Sequence, residues 1–154
     1  KGGEFRKWYG NQEHVVNWED DGAEIVAFKP RSVIRNPGTY FSPSVSWSDI
    51  GSGEAAFRRF PAGFIHDVKG MSAFGDDGLL DHVAVLMNSS FARAILRAIA
   101  PTVNFQIGDV GKVPVDGLAE LPPSATTLVA TARTDWDCFE TSWNFERNPL
   151  VALV

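Results

Sequence analysis

"SVSWSDIGSGEAAFRRFPAGFIHDVKG" spans residues 44–70, and its reading decides the fold class. Val45 and Trp47 alternate with Ser46 and Ser48, the period of two that marks a half-buried strand. "SDIGSGE" punctuates, 57–60 reads as a second short strand, 61–63 as a turn, and 64–68 as a third strand stopped by Lys69 and Gly70. Three short strands with tight connections predict an antiparallel or mixed sheet.

Upstream, 15–18 reads as another short strand, closed by the turn-forming run Glu19, Asp20, Asp21, Gly22. Residues 30–44 carry Pro30, Pro37, Gly38 and Pro43 among serines and arginines, the composition of an irregular loop. Downstream, the period changes. Leu79, Leu80, Val83, Ala84, Leu86 and Met87 recur at helical spacing. After Asn88, Ser89 and Ser90 a second set follows, Ala92, Ile95, Leu96 and Ile99, ended by Pro101. Ser89 or Ser90 supplies the N-cap, and Arg93 and Arg97 lie opposite the apolar stripe.

Residues 103–107 alternate again and 112–115 look extended, so 103–115 is read as strands. Pro122 and Pro123 then open C-terminal helices over 122–141, with 134–137 as a restart cap. The expected architecture is α+β: a twisted mixed or antiparallel sheet of short strands with helices packed on one side. It forms a single domain over 1–154, with strands and loops to about residue 70 and a helical pair over 79–100. A chain that starts at Lys1 rather than methionine reads as a piece of a longer one.

The 44% hydrophobic and 21% charged content is that of a soluble globular domain. The lone Cys138 excludes an internal disulfide, and no apolar run approaches the ~18 residues of a membrane span, so a soluble, cytoplasmic protein with no membrane partner is expected. A net charge of −5 argues against a generally basic nucleic-acid binder. Its distribution qualifies that. Residues 29–69 hold Lys29, Arg31, Arg35, Arg58, Arg59 and Lys69 against Asp49, Glu54 and Asp67, whereas 71–154 hold five cations against ten acids.

Catalytic motifs are missing from the chain. It has no glycine-rich dinucleotide or nucleotide loop, no G-x-S-x-G and no H-E-x-x-H, and His14, His66 and His82 are scattered singly, so no metal site is expected. The nearest constellation is Asp49 with Asp67-x-Lys69. Two carboxylates and a lysine on neighbouring strands are what a Mg²⁺-dependent nuclease uses to hold the ion and steady the attacking water. The competing reading is a solvated strand end. Trp8, Trp18 and Trp47, on or beside strands, are expected in the core. Asn88, Asn104 and Gln106 carry amides able to read an adenine edge, against capping for the first and plain exposure for the others.

The ordered series of "KGGEFRKWYGNQEHVVNWEDDG" (1–22), "SWSDI" (46–50), "PAGFIHDVKG" (61–70), "LMNSSFARAIL" (86–96), "PTVNFQIGDVGKVPV" (101–115) and "DWDCFETSWNF" (135–145) resembles the C-terminal half of PglX, the adenine-specific DNA methyltransferase of BREX phage-defence systems. The resemblance implies a region similar to a TaqI-type specificity domain, which selects the DNA target. The Gly2-Gly3 pair would then be the joint leaving the methyltransferase domain. Neither an Asn/Asp-Pro-Pro-Tyr/Phe motif nor a glycine-rich S-adenosylmethionine loop is present; the Asn-Pro pairs are Asn36-Pro37 and Asn148-Pro149. A catalytically silent recognition region without a cofactor of its own is therefore expected, with S-adenosylmethionine bound by the parent enzyme.

The expected partners are double-stranded DNA, the upstream methyltransferase domain of the same chain and other defence-system proteins. The candidate phosphate contacts are Arg6, Lys7, Arg31, Arg35, Arg58, Arg59 and Lys69. The candidate base readers are Asn11, Asn104 and Gln106. A protein-interaction module docking the parent enzyme to defence subunits or to a phage inhibitor is the alternative, and the Asp49, Asp67, Lys69 nuclease the third.

Overall fold

A computed structural model describes residues 2–50, 54–101, 104–115 and 125–153. Its centre is a three-stranded antiparallel sheet in the order β2-β1-β3, with β1 at Ser44–Ser48, β2 at Arg58–Phe60 and β3 at Gly70–Phe74. Trp8 adds a one-residue parallel bridge beyond β2: its N–H donates to the Phe57 carbonyl at 2.9 Å, and its carbonyl accepts from Arg59 at 2.8 Å.

The alternation in β1 works as expected, but both faces are buried. Val45 and Trp47 enter the apolar core with Phe57, while Ser44 and Ser46 are equally inaccessible on the other face. Their hydroxyls are satisfied there. Ser46 Oγ donates to the Met71 carbonyl at 2.9 Å, and Ser44 Oγ lies 3.2 Å from His66 Nε2. The N-terminal segment helps cover this serine face, tied down by Gly3 N–H donating to Ser48 Oγ at 3.1 Å. A Cβ on Gly2 would sit 3.1 Å from the Lys69 carbonyl oxygen, so the first glycines let the chain pass close to the sheet.

The apolar face is covered by a bent helical pair. The first helix, Asp77–Met87, is capped by Asp76, whose Oδ1 accepts the Leu79 N–H at 2.8 Å. The second, Ser90–Ile99, is capped by Ser89 Oγ accepting from Ala92 at 3.1 Å, and the two axes meet at 70°. Leu80, Ala84, Met87, Ala92 and Leu96 point their shared stripe at Trp47 and Phe57. Among the described residues no single helix is long and apolar enough to cross a membrane.

A short helix precedes the sheet, α1 at Ala23–Ala27; the capped pair is α2 and α3. A four-residue helix, α4 (Ile107–Val110), and a longer one, α5 (Ala125–Trp136), follow, with α5 resting on α2. A 3-10 turn at Pro149–Leu153 ends the described chain.

Several expectations are corrected. Residues 15–18 form no strand, and Val15 and Val16 are exposed. Residues 64–68 are not the third strand either. Asp67 Oδ1 accepts the N–H groups of Lys69 at 2.9 Å and Gly70 at 2.8 Å, folding a turn, and β3 begins where the strand was expected to stop. In 103–107, Asn104 makes only an isolated bridge to Ile50, and Ile107 starts α4; 112–115 pairs with no strand. The helix runs through 134–136 without a restart. Val103, Pro122 and Pro123 lie outside the described residues.

Candidate nucleic-acid interface

Adjacent strand residues face opposite sides of a sheet, and here that places Arg58 and Arg59 in two different interiors. Arg58 stands opposite Ser46 and is 1% exposed. Its guanidinium reaches the Arg6 carbonyl and Ser48 Oγ, both at 3.4 Å, while Nε has no partner. Burial pushes its pKa down to about 10, so it stays charged at neutral pH. Arg59 stands opposite Val45, on the helix side. It donates to Asp77 and, at 3.1 Å, to Asp81 of α2, and to the Phe60 carbonyl at 2.7 Å. Two of the expected phosphate contacts are thus engaged within the fold: Arg58 is interior, and Arg59 locks α2 to the sheet.

The other expected phosphate contacts divide. Arg6 binds Asp135 at 3.0 Å and lies 4.9 Å from the Trp136 ring centroid, and Lys7 donates to the Asn88 carbonyl at 3.0 Å. Lys69 meets the buried Asp49 carboxylate at 2.9 Å while much of its side chain remains at the surface. Arg31 and Arg35 are exposed and belong to a different environment.

That environment is a segment running from the 3-10 turn Glu19–Asp21, through α1, to Phe41. Its two ends are held together at the base. Trp18 packs edge-on against Tyr40 and Phe41 at 5.1 and 6.0 Å between centroids, and Phe41 exchanges backbone hydrogen bonds with Phe64 and Gly63 at 2.9 and 3.0 Å. Gly22, at φ +76°, lies against the Trp18 ring, where a Cβ would come within 2.9 Å. Trp18 thus anchors a loop rather than joining the central core as expected. Trp47 is in that core, and Trp8 packs against it.

Beyond this base the segment is ordered by its own bonds. Arg31 N–H donates to the Phe28 carbonyl at 3.1 Å, Ser32 Oγ donates to the Ile25 carbonyl, and Arg35 N–H donates to Tyr40 Oη at 3.3 Å. Lys29, Arg31 and Arg35 project from it, exposed, with Val26, Phe28 and Val33. Lys29 belongs with the other two, and the reading of single residues missed it although it lies in the same loop.

The candidate base readers are not brought together. Asn11, at φ +60°, gives its amide to the Glu4 carbonyl at 2.9 Å, a local turn bond. Asn104 and Gln106 are both exposed, the second at the N-cap of α4 with no side-chain cap bond. Asn88 is structural: buried, it accepts from Phe57 N–H at 3.1 Å and donates to the Phe57 and Ala84 carbonyls at 2.8 and 3.0 Å. The Asp49, Asp67, Lys69 constellation resolves into an ion pair and a turn cap. Among the described residues no cluster of three or more His, Cys, Asp or Glu could hold a metal.

The chain is homologous along its length to a segment of adenine-specific methyltransferases. One is BrxX of Escherichia coli O9:H4 (strain HS), 36% identical over 154 residues that cover 98% of this chain and 13% of that protein. Another is PglX of Lacticaseibacillus casei (strain Zhang), 35% identical over 167 residues, covering 100% of this chain and 14% of that protein. The chain thus spans about one seventh of the curated relatives it matches. No family model matches it.

Proposed function

We propose that this chain is a DNA target-recognition region of a PglX-type adenine-specific methyltransferase of a cytoplasmic BREX phage-defence system, selecting the site without transferring the methyl group. The observation that carries the reading is homology along the whole chain to about one seventh of two adenine-specific methyltransferases, in a segment that has neither an Asn/Asp-Pro-Pro-Tyr/Phe motif nor a glycine-rich cofactor loop. Flipping and methylating adenine need both, so transfer falls to the parent's methyltransferase domain with its S-adenosylmethionine. Phosphate contacts seat such a region on the duplex, and base-edge contacts from exposed amides such as Asn104 and Gln106 choose the sequence.

The test is an exchange between two full-length homologues that methylate different sites, replacing only the segment that corresponds to residues 2–153. Methylation at the donor's site, read by sequencing modified adenines, is the expected result. A chimaera that keeps the recipient's site overturns the proposal.

A second reading is docking to another defence protein, favoured by the exposed aromatics Phe139 and Trp143 in the acidic C-terminal part, at 50% and 68% exposure. Aromatic rings of this kind anchor protein interfaces. Capture of a named defence subunit by the full-length enzyme, lost on Trp143→Ala with DNA binding unchanged, is the outcome that separates this reading from the first.

A further inference from the structure

Cations in a chain of net charge −5 find carboxylates easily, and most here do. Arg6, Arg59, Lys69, Arg93, Arg97, Lys112 and Arg133 each pair with one. Lys7 is held by a carbonyl and Arg58 is interior. Among the described residues, the exposed cations whose side chains have neither a carboxylate nor a hydrogen-bond partner are Lys29, Arg31, Arg35 and Arg147, and the first three share the loop after α1. The same segment begins with Glu19, Asp20, Asp21 and Glu24, yet none of these reaches the three cations in an ion pair. Glu24 instead accepts from Asn17 Nδ2 at 3.1 Å.

We infer that the loop from Phe28 to Asn36 is a phosphate-contacting arm for duplex DNA, with Lys29, Arg31 and Arg35 as its contacts; this rests on the target-recognition reading above. An acidic root and a cationic tip orient the segment in the field of a polyanion, tip inward. Its backbone is already fixed at Ser32, Arg35 and the Trp18 base, so little ordering entropy is lost on binding. The cations need break no existing ion pair to reach phosphate, unlike Arg59 or Arg97. The rest of the molecule, acidic and self-neutralised, contributes little attraction, so the arm supplies the positional grip and leaves sequence choice to other residues.

The decisive experiment uses the full-length parent enzyme with Lys29→Gln, Arg31→Gln and Arg35→Gln combined, and fluorescence anisotropy with target and non-target duplexes over a salt series. Each phosphate contact contributes about 0.9 to the slope of log K against log salt, so the slope should become shallower by about 2–3. Affinity should fall for both duplexes by the same factor, with the methylated site unchanged. Arg93→Gln with Arg97→Gln, whose charges already meet Glu54, should leave the slope within about 0.5 of wild type. The single change Lys29→Glu repeats the test with minimal alteration.

An unchanged slope in both arm variants overturns the inference, as does a loss of discrimination without a change in slope. Loss of a defence-protein contact at constant slope assigns the arm to a protein partner and overturns it as well. The segment exchange reports separately: if site choice does not follow the segment while the arm variants still flatten the slope, the arm stands and the target-recognition reading falls.

Discussion

The sheet with its helices and the loop between Trp18 and Phe41 handle the same residue types in opposite ways. In the body, a cation is a fastener: Arg59 joins β2 to α2, Arg6 ties the N-terminal segment to α5, and Arg93 and Arg97 converge on Glu54. In the loop, Lys29, Arg31 and Arg35 fasten nothing through carboxylates, and Arg31 only lies 5.8 Å from the Phe28 ring centroid. Charge that holds a fold together is unavailable to a ligand. Charge that does not is free to meet one.

The strongest way to break that contrast is to damage the body at a polar point that is purely structural. Asn88 is the sharpest such point, because its amide satisfies both the N–H and the carbonyl of Phe57 in the interior. Asn88→Ala leaves the buried Phe57 N–H without a partner and the Phe57 carbonyl with the Trp8 N–H alone, and at about 1–3 kcal/mol for an orphaned buried donor, a loss of about 2–3 kcal/mol is expected in urea unfolding. A loss below about 1 kcal/mol would mean the site relaxes or admits water, and that Asn88 is less of a clamp than its bonds imply.

Arg58 sharpens the comparison from the other side. It is a buried guanidinium with two long hydrogen bonds, a partnerless Nε and no carboxylate, and burial already depresses its pKa to about 10. Keeping that charge inside is unfavourable, so Arg58→Met should raise stability by about 1–2 kcal/mol while leaving DNA affinity and its salt slope unaltered. A fall in stability would show that the hydrogen bonds outweigh the desolvation. A shallower slope would show that Arg58 reaches DNA after all.

The burial of Arg58 and Arg59 explains where sequence reading stopped. The alternation of Val45 and Trp47 with serines marked β1, and helical periodicity marked α2 and α3 with Ser89 or Ser90 as cap, of which Ser89 is the one used, because each signal is local. The hydrophobic run "FIHDV" at 64–68 outranks "GMSAF" as a strand by composition. The chain nevertheless pairs the second, because the register with β1 and the Asp67 turn decide, and both are tertiary. The fate of the cations was least visible. Arg59 finds Asp77 and Asp81, and Glu54 is met by Arg97, all across the edge of the 29–69 window, so a local tally of charge over it could not separate fastened from free.

A smaller effect concerns His66, whose ring is 5.9 Å from that of Phe60 and 5.6 Å from that of Phe74 by centroid, with Ser44 Oγ at Nε2. Burial lowers its pKa below 6.5, so the folded state prefers the neutral ring. The unfolded chain then takes up the proton first. The contribution is intact above about pH 6.5 and is lost as pH falls toward the folded-state pKa. Between about pH 7 and pH 5, wild type should lose more stability than His66→Gln. Parallel pH profiles would place the sensitivity elsewhere.

The smallest expected stability change belongs to the arm, and its smallness is the point. Lys29, Arg31 and Arg35 are exposed and bear no carboxylate, so converting all three to glutamine should shift unfolding by no more than about 0.5 kcal/mol. Arg59→Ala, which removes the ion pairs to Asp77 and Asp81 and the guanidinium's bond to the Phe60 carbonyl, should cost about 2 kcal/mol by the same measurement. If the arm variant proves as destabilising as Arg59→Ala, its cations hold structure too, and a flattened salt slope could no longer be ascribed to lost phosphate contacts. If it does not, stability and salt slope respond to different sets of cations, and the division between fastened and free charge is functional.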